Sequence, residues 1–347
     1  MAHAVGRGHG LQHGATTAPP GTRSPDRGIA SRFRIPTLEP RYVAAPERFP
    51  WRFVDVAAVR EDRAFMAASP AAEGDDDLPA GAVLSWNGAW SRRAFAIGPV
   101  SLCLQTRPET ALLMLGHDGR VVRWGAKDFS EEHIDTAGDG PRLRGGMREV
   151  RAIGDHAYAV GLGRRVYRCD GEARWQRIDA GVRVAAQDES GAGFNSIDGF
   201  GADALHAVGW LGELWRFDGA RWAQERSPTP LALHRVVCAA DGAVYAVGQQ
   251  GTILVRRDAQ WQALPQALTR HDFWGACWFA GRLYLCTAKA LFVLDDGGLR
   301  EVPLDPELSH VGGFHRLSAN AEAIWAVGDR VAIRSRDGRR WHEVPYA

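Results

Sequence analysis

Short runs of small, β-branched and aromatic residues, separated by turn residues, recur along the chain from about residue 50 to its end. In one stretch the runs Val244–Val247 and Thr252–Val255 flank the turn Gly248-Gln-Gln-Gly251, and a second polar turn follows at Asp258-Ala259. Apolar runs of this length between turn residues predict strands, and the turns predict tight hairpins. Each unit is therefore predicted to be an antiparallel meander of four strands.

The same unit is repeated with a nearly constant internal spacing. Four copies contain an Ala-Val-Gly strand, and the interval from its glycine to the next tryptophan is 14 residues in the first copy and 13 in the other three. A fixed interval means that each copy must solve the same packing problem, which is typical of a repeat protein. The four copies are Ala157-Tyr-Ala-Val-Gly161 to Trp175, Leu205-His-Ala-Val-Gly209 to Trp222, Val244-Tyr-Ala-Val-Gly248 to Trp261, and Ile324-Trp-Ala-Val-Gly328 to Trp341.

Weaker copies bring the number of units to seven. Leu112-Leu-Met-Leu-Gly116 reaches Phe129 after 13 residues, and Leu283-Tyr-Leu-Cys-Thr287 has threonine in place of the glycine. The first unit contains an acidic insertion, Glu73-Gly-Asp-Asp-Asp77. Seven four-stranded sheets around an axis predict an all-β, seven-bladed β-propeller, whose closed ring removes exposed sheet edges. The blades are predicted to begin near residues 51, 98, 146, 194, 233, 272 and 313.

The domain plan follows from this count. Residues 32–347 are predicted to form a single propeller domain, because a propeller is one domain however many blades it has. Residues 1–31 are rich in Gly, Pro, His and Arg and are predicted to be a disordered tail. The last unit carries its own fourth strand, so ring closure is expected to need no strand from the N-terminus.

Composition narrows the classes of function. The net charge is +1, which excludes a strong electrostatic attraction to nucleic acid or an anionic membrane surface, and no apolar run reaches the length of a membrane span. Five cysteines without a C-x-x-C pair predict reduced core residues and a cytoplasmic protein, since residues 1–30 also lack a secretory signal. The 12 histidines show no metal-ligand spacing. We therefore expect no cofactor and no metal, and a chain that is monomeric by itself.

The loops differ between copies although the strands repeat. Turns between the second and third strands, together with the loops between blades, are expected to gather on one face, and loops on a fixed frame are where such folds acquire function. This pattern predicts a face that binds a protein partner; the alternative for each position is a solvated hairpin tip. The predicted binding residues are His117, Arg164, Trp210, Gln249, Gln250, Lys289, Asp329 and Arg330 in the turns, and Arg270 and His271 between blades.

Polar residues are also expected along the central channel. Strand side chains alternate, so the neighbours of the core positions in the innermost strands point toward the axis. Mixed charges there are typical of a hydrated, self-neutralising channel, but they are also able to bind an anion. The predicted channel-lining residues are Glu149, Arg151, Asp198, Arg235 and Arg316, together with Ser196 and Ser318.

The Ala-Val-Gly…Asp-Gly…Trp pattern over residues 50–347 resembles a superfamily of bacterial propellers with WD40, YVTN or BNR-like repeats. It includes the photosystem II assembly-factor-like proteins and the Asp-box repeat proteins. Ser335-Arg-Asp337-Gly338-Arg-Arg-Trp341 is one residue shorter than an Asp-box. The resemblance implies a non-catalytic bacterial scaffold that binds a protein, such as an accessory or immunity factor that masks a toxin.

Two other functions remain open at this point. Phe33-Arg34-Ile35-Pro36 matches the F-R-I-P motif of sialidases. That resemblance implies a clamp of Arg34, Arg235 and Arg316 on a sugar carboxylate, with Tyr346 and Glu225 as nucleophile pair and Asp55 or Asp62 as acid/base. A sugar-binding module is the second alternative, and it would use the repeated tryptophans Trp175, Trp222, Trp261 and Trp341, although their fixed spacing favours blade packing.

Overall fold

A computed structural model describes residues 50–71, 79–126, 128–136, 138, 140–144, 146–170, 174–184 and 191–345. It contains seven separate four-stranded antiparallel sheets, so the predicted all-β, seven-bladed propeller is confirmed. The predicted tail of residues 1–31, Arg34 with its motif, the acidic insertion and Tyr346 lie outside the described residues.

The first three blades contain strands β1 to β12. Blade 1 is formed by β1 (Trp51–Arg60), β2 (Arg63–Pro70), β3 (Gly81–Trp86) and β4 (Trp90–Phe95). Blade 2 is formed by β5 (Pro99–Gln105), β6 (Ala111–Gly116), β7 (Arg120–Trp124) and β8 (Phe129–His133). A four-residue helix α1 (Pro141–Arg144) precedes blade 3, which is formed by β9 (Met147–Ile153), β10 (His156–Gly161), β11 (Arg165–Cys169) and β12 (Trp175–Arg177).

The last four blades contain strands β13 to β28. Blade 4 has β13 (Phe194–Gly201), β14 (Ala204–Gly209), β15 (Leu214–Phe217) and β16 (Trp222–Gln224). Blade 5 has β17 (Leu233–Cys238), β18 (Val244–Gly248), β19 (Ile253–Arg257) and β20 (Gln260–Ala263). Blade 6 has β21 (Gly275–Phe279), β22 (Arg282–Cys286), β23 (Leu291–Asp295) and β24 (Gly298–Glu301), and blade 7 has β25 (Phe314–Ala319), β26 (Ile324–Gly328), β27 (Ala332–Ser335) and β28 (His342–Glu343). Short 3-10 turns lie at Trp210–Gly212, Gln249–Gly251 and Pro306–Leu308.

The first strands of successive blades contact one another around the axis, and β25 contacts β1, which closes the ring. Closure needs no exchanged strand, because β28 of blade 7 pairs with β27 of the same blade. Hydrogen bonds seal the seam between blades 7 and 1: the Phe53 backbone N–H donates to Asp329 O at 2.9 Å, and the Trp325 indole donates to Arg60 O at 3.0 Å.

The repeated tryptophans pack between blades. Trp222 of blade 4 lies in one apolar cluster with Tyr158 and Val160 of blade 3, and its indole N–H donates to Ile178 O at 2.8 Å. Trp261 packs against Val208 and Leu214 of blade 4 in the same way. Their rings bury apolar area between adjacent sheets, so these side chains are not available as a sugar-binding surface, and the interpretation as blade-packing residues holds.

The glycine of the Ala-Val-Gly strand is required by a close backbone approach. The connection entering each of these blades passes against the end of its second strand, and a Cβ on Gly209 would overlap the carbonyl oxygen of Gly193. That same carbonyl accepts a hydrogen bond from the Trp210 N–H at 3.2 Å. The arrangement recurs in blade 5, where Ala232 O approaches Gly248 and accepts from the Gln249 N–H at 2.9 Å. The repeated glycine therefore lets the incoming connection approach the second strand and bond to it in each of these blades.

Gly209→Ala is expected to lower the free energy of unfolding by about 1 to 3 kcal/mol, because the new methyl group must displace a buried backbone carbonyl. Thermal and urea unfolding would measure this. Gly98→Ala is the matched control, since its Cβ would come no closer than 3.9 Å to another atom. Equal stability of the two variants would contradict this account of the repeat.

His206 is the exception among the packing residues of the second strands. In β14 it holds the position of Tyr158, Tyr245 and Trp325 in the equivalent strands. It is buried, its Nδ1 has no hydrogen-bond partner among the described residues, and its ring lies edge-on to Trp261. Burial, reinforced by the charge of Arg256, lowers the pKa of His206 to about 4.

The unfolded chain takes up a proton on His206 as pH falls through about 6.5, whereas the folded protein does so only near the lowered pKa. The free energy of unfolding should therefore decrease between pH 6.5 and about 4, by up to about 3 kcal/mol from this residue. His206→Tyr should flatten that decrease, and the control His133→Gln, at an exposed histidine, should keep it. Chemical unfolding across this pH range would measure the difference, and parallel pH profiles of wild type and His206→Tyr would contradict the prediction.

Candidate binding face and channel

The loops that were expected to share a face do so. The second-to-third-strand turns contact the connections between blades through backbone hydrogen bonds, such as Met147 N–H to His117 O at 3.1 Å and Gly313 N–H to Ala288 O at 2.9 Å. We name this side of the ring the upper face. The first-to-second-strand hairpins lie on the opposite, lower face.

Three predicted binding residues hold the loops of the upper face together. Arg164 forms an ion pair with Glu213 of the next blade, and its guanidinium lies over the Trp215 ring at 5.2 Å. The Gln249 side-chain oxygen accepts from the Ala232 N–H at 3.0 Å, and a ring nitrogen of His117 accepts from the Gly146 N–H at 3.0 Å. These groups are engaged within the chain.

The turn after β14 contains the predicted binding residue Trp210 and a second apolar residue, Leu211. Trp210 is half-buried, whereas the next residue, Leu211, is 64% exposed. Leu211 has a φ of 57°, a left-handed conformation that turns its side chain outward at the tip of the 3-10 turn. Sequence reasoning named Trp210 in this turn and not Leu211, which is the more exposed of the two.

The other predicted residues of the upper face are exposed. They are Gln250, Arg270, His271, Lys289, Asp329 and Arg330. Two apolar residues that sequence reasoning missed lie on the loop entering blade 6: Leu268 is 57% exposed and Trp274 is 39% exposed. The sequence did contain a signal for Trp274. At the start of blade 6, Phe273-Trp-Gly275 occupies the positions of Leu233-His-Arg235 in blade 5, so a tryptophan stands where the preceding blade has a histidine.

Trp274 stands at the upper mouth of the channel. Its ring stacks on His234 with centroids 4.4 Å apart and an interplanar angle of 17°. Burial lowers the pKa of His234, so this ring stays uncharged to lower pH than an exposed histidine. A cavity of about 720 Å³ opens beside Trp274, and its charged and titratable lining residues are Arg52, His310, His315, Arg316, Asp329, Arg330 and Glu343.

A bulge at the start of the first strand sets the channel lining in six blades. In β25, for example, Phe314 and Arg316 pair with consecutive residues of β26, so His315 is the extra residue. The residues after the bulges face the axis at one level: Asp55, Ser101, Glu149, Ser196, Arg235 and Arg316. Blade 6 lacks the bulge, and Gly275 occupies this level, where a Cβ would lie 2.7 Å from the Cys286 sulfur.

Six carboxylate and hydroxyl side chains of the channel connect neighbouring first strands, which belong to different sheets. Each accepts a hydrogen bond from a backbone N–H of the first strand in the next blade. These N–H groups face the axis and have no partner within their own sheet. The pairs are Asp55 with Leu102 at 2.9 Å, Ser101 with Val150 at 3.2 Å, Glu149 with Ile197 at 2.8 Å, Ser196 with Val236 at 3.2 Å, Asp198 with Cys238 at 2.9 Å and Ser318 with Ala58 at 3.0 Å.

The predicted channel charges come together as pairs. Arg151 donates to both oxygens of Asp198, at 3.1 and 3.0 Å, and Arg235 donates to Glu149. Arg316 differs: its ion pair with Asp55 spans 3.8 Å, and its Nη1 donates only to the backbone oxygen of His315. Burial, together with the nearby charge of Arg235, lowers the pKa of Arg316 to about 10.

Below these pairs the channel widens to a cavity of about 580 Å³ on the lower face, lined by the first strands of all seven blades. Cys103, Cys238 and Cys277 border it. Burial raises the pKa of the Cys103 thiol to about 12 and that of Cys238 further. Thiols held protonated in this way are poor nucleophiles.

The set of residues required by the sialidase hypothesis is not assembled among the described residues. Glu225 follows the outermost strand of blade 4, where it binds Arg256 and the Trp261 indole and lines neither cavity. Asp62 is on the lower face and pairs with Arg60, while both oxygens of Asp55 accept hydrogen bonds from β1 and β5. Arg235 and Arg316 are both in the channel, but Arg34 lies outside the described residues.

The described residues contain neither a metal-binding cluster nor a membrane-spanning helix. No group of three or more His, Cys, Asp or Glu side chains there is arranged to hold a metal ion. No helix in the same residues is long and apolar enough to cross a membrane.

Comparison with known proteins gives one clear sequence relative. The chain is 40% identical over 245 residues to the immune protein Tsi7 of Pseudomonas aeruginosa, and the match covers 71% of this chain and 79% of Tsi7. No protein-family model matches the chain.

Solved structures share the fold at low sequence identity. YCF48 bound to a D1 peptide superposes with a TM-score of 0.60 at 16% identity, covering 84% of this chain and 96% of YCF48. YCF48 from Cyanidioschyzon merolae gives 0.56 at 15% identity, covering 84% and 95% of the two chains. The WD40 repeats of RRP9 give 0.57 at 10% identity, covering 82% and 89%. The predicted similarity to photosystem II assembly-factor-like propellers is thus confirmed at the level of fold.

The Glu149 carboxylate should be essential for stability, because it accepts from Arg235 and from the next blade at once. Glu149→Gln leaves a buried guanidinium without its counter-charge, and we expect a loss of about 3 to 5 kcal/mol in the free energy of unfolding. Glu322→Gln, at an exposed acid on the lower face, is the control and should change stability by less than about 0.5 kcal/mol. Denaturant titration of both variants is the measurement; a Glu149→Gln protein as stable as the control would refute the role of this pair.

Proposed function

Because this chain belongs to the family of the immune protein Tsi7, we propose that it is a non-catalytic immunity propeller that binds a protein partner, a toxin or effector, across its upper face. The family membership carries the proposal that it is an immune protein. A protein in this role acts by covering a surface of its partner, and that needs an exposed, shape-specific face and no catalytic residues of its own.

The distribution of exposed apolar residues supports the upper face as the binding surface. Of the five large hydrophobic side chains that are exposed among the described residues, Leu211, Leu268 and Trp274 lie on this face. Large apolar groups at loop tips cost solubility unless a partner covers them, and aromatic residues are enriched at the centres of protein interfaces. We define Leu211, Leu268 and Trp274 as the apolar rim.

Hydrogen bonds join the turns of the upper face to the connections between blades, including the connection that carries Trp274. Gln249 binds the connection entering blade 5, and the Gln250 N–H donates to Asp272 at 2.9 Å in the connection entering blade 6. A surface ordered before binding loses less conformational entropy on association, which favours a tight complex. The predicted residues Gln250, Arg270, His271 and Lys289 then form a polar border around the rim. Cytoplasmic location, a monomeric free state and bacterial origin stay predictions from the sequence.

The test of this surface begins with the partner itself. Affinity capture of the tagged chain from cells that naturally produce it, followed by mass spectrometry, identifies a candidate, and calorimetry with the purified pair gives its Kd. Leu211→Asp and Trp274→Ala should each weaken binding at least about tenfold, as expected for truncation of interface anchors. Phe200→Asp is the control, because Phe200 is 52% exposed at the hairpin between β13 and β14, on the lower face.

The immunity role needs a second measurement. Production of the captured partner in a susceptible host should stop growth, and production of this chain in the same cells should restore it, whereas Leu211→Asp should not. Loss of binding in Phe200→Asp with normal binding in both upper-face variants would move the interface to the other side. Growth unaffected by the partner would reject the immunity role.

A further inference from the structure

Arg316 stands apart from the other arginines of the channel. Arg151 and Arg235 each donate directly to a carboxylate, whereas the one carboxylate within 4.0 Å of Arg316 among the described residues is Asp55, at 3.8 Å. Asp55 is already engaged elsewhere, since its oxygens accept from the N–H groups of Val56 and Leu102 and from the Ser101 hydroxyl. The charge of Arg316 is therefore compensated only weakly from within the chain.

The surroundings of Arg316 add to this positive charge. The Arg316 side chain is 22% exposed and borders the upper cavity, which is also lined by Arg52 and Arg330. Both of these arginines are exposed, and within the described ranges neither forms an ion pair. The two acids of the cavity are each beside a histidine: Asp329 lies 3.8 Å from His315, and Glu343 lies 3.0 Å from His310.

We propose that the upper mouth receives a carboxylate group of the protein partner, which binds Arg316 while an adjoining apolar residue packs on Trp274. This inference rests on the proposed function and specifies what the partner inserts. A guanidinium and a carboxylate are matched in planar geometry and bond by charge-assisted hydrogen bonds. Trp274 supplies an apolar wall at the edge of the same cavity.

Arg316 lies at the same level as the paired residues Glu149 and Arg235, where the upper cavity meets the channel, so the group that reaches it must be small. An aspartate, a glutamate or a chain terminus satisfies this condition.

The test uses three fluorescein-labelled peptides that differ at one group. The first has the core Leu-Glu-Leu with an amidated end, the second has Leu-Gln-Leu with an amidated end, and the third has Leu-Gln-Leu with a free C-terminal carboxylate. Fluorescence anisotropy at low ionic strength measures their binding to the full chain. We expect the first or the third peptide to bind at least about tenfold more tightly than the second, as a charge-assisted bond predicts. Whichever is tighter identifies the source of the carboxylate.

Variants connect this preference to Arg316. Arg316→Gln should abolish the preference for a carboxylate, and Arg316→Lys should keep only part of it, because lysine lacks the planar fork. Arg340→Gln is the control, since Arg340 is exposed in the hairpin between β27 and β28 and lines neither cavity. Thermal unfolding of each variant checks that the ring is intact.

Equal binding of all three peptides, or a preference that survives Arg316→Gln, would overturn the inference. The two proposals also fail separately. If Arg316→Gln binds the captured partner as tightly as wild type does, while Leu211→Asp does not, the upper face remains the interface and only the carboxylate site is rejected.

Discussion

The ring depends on polar side chains that join its innermost strands. These strands belong to separate sheets, so the backbone groups on their axis-facing edges have no ladder partner. Carboxylates and hydroxyls such as Asp55, Glu149 and Ser318 bridge this gap. A buried carboxylate is costly unless its charge is balanced. Arg151 and Arg235 provide this balance. The charged channel is thus first a structural device, and its composition alone is no evidence of catalysis.

The bridged innermost strands form the frame of the ring, and the loops at its surface are the parts that differ between blades. Glycines of the second strands let the connections between blades reach the frame, and side chains such as Gln249 then fix the loops in place. The proposed binding face consists of the loop tips that remain: Leu211, Leu268 and Trp274, with polar neighbours. A rigid frame with individual loop tips suits a protein that must recognise one partner specifically.

The positions of the candidate residues in the ring could largely be predicted from the sequence, although their interaction energies could not. The repeat identified which turns share the upper face and which strand positions face the axis. It did not distinguish Trp210 from Leu211, because a left-handed φ at Leu211 decides which of the two points outward. Nor did it distinguish Arg316 from Arg235, because the difference lies in the distance to a carboxylate on another blade.

The sequence by itself determined the architecture, since a fixed glycine-to-tryptophan interval is a local requirement that each blade must meet for itself. The tertiary structure alone decided which charges neutralise one another and which side chains stay exposed. The charge pairs of the channel depend on residues about 50 or more positions apart in the chain, as with Asp55 and Arg316, that only the closed ring brings within reach.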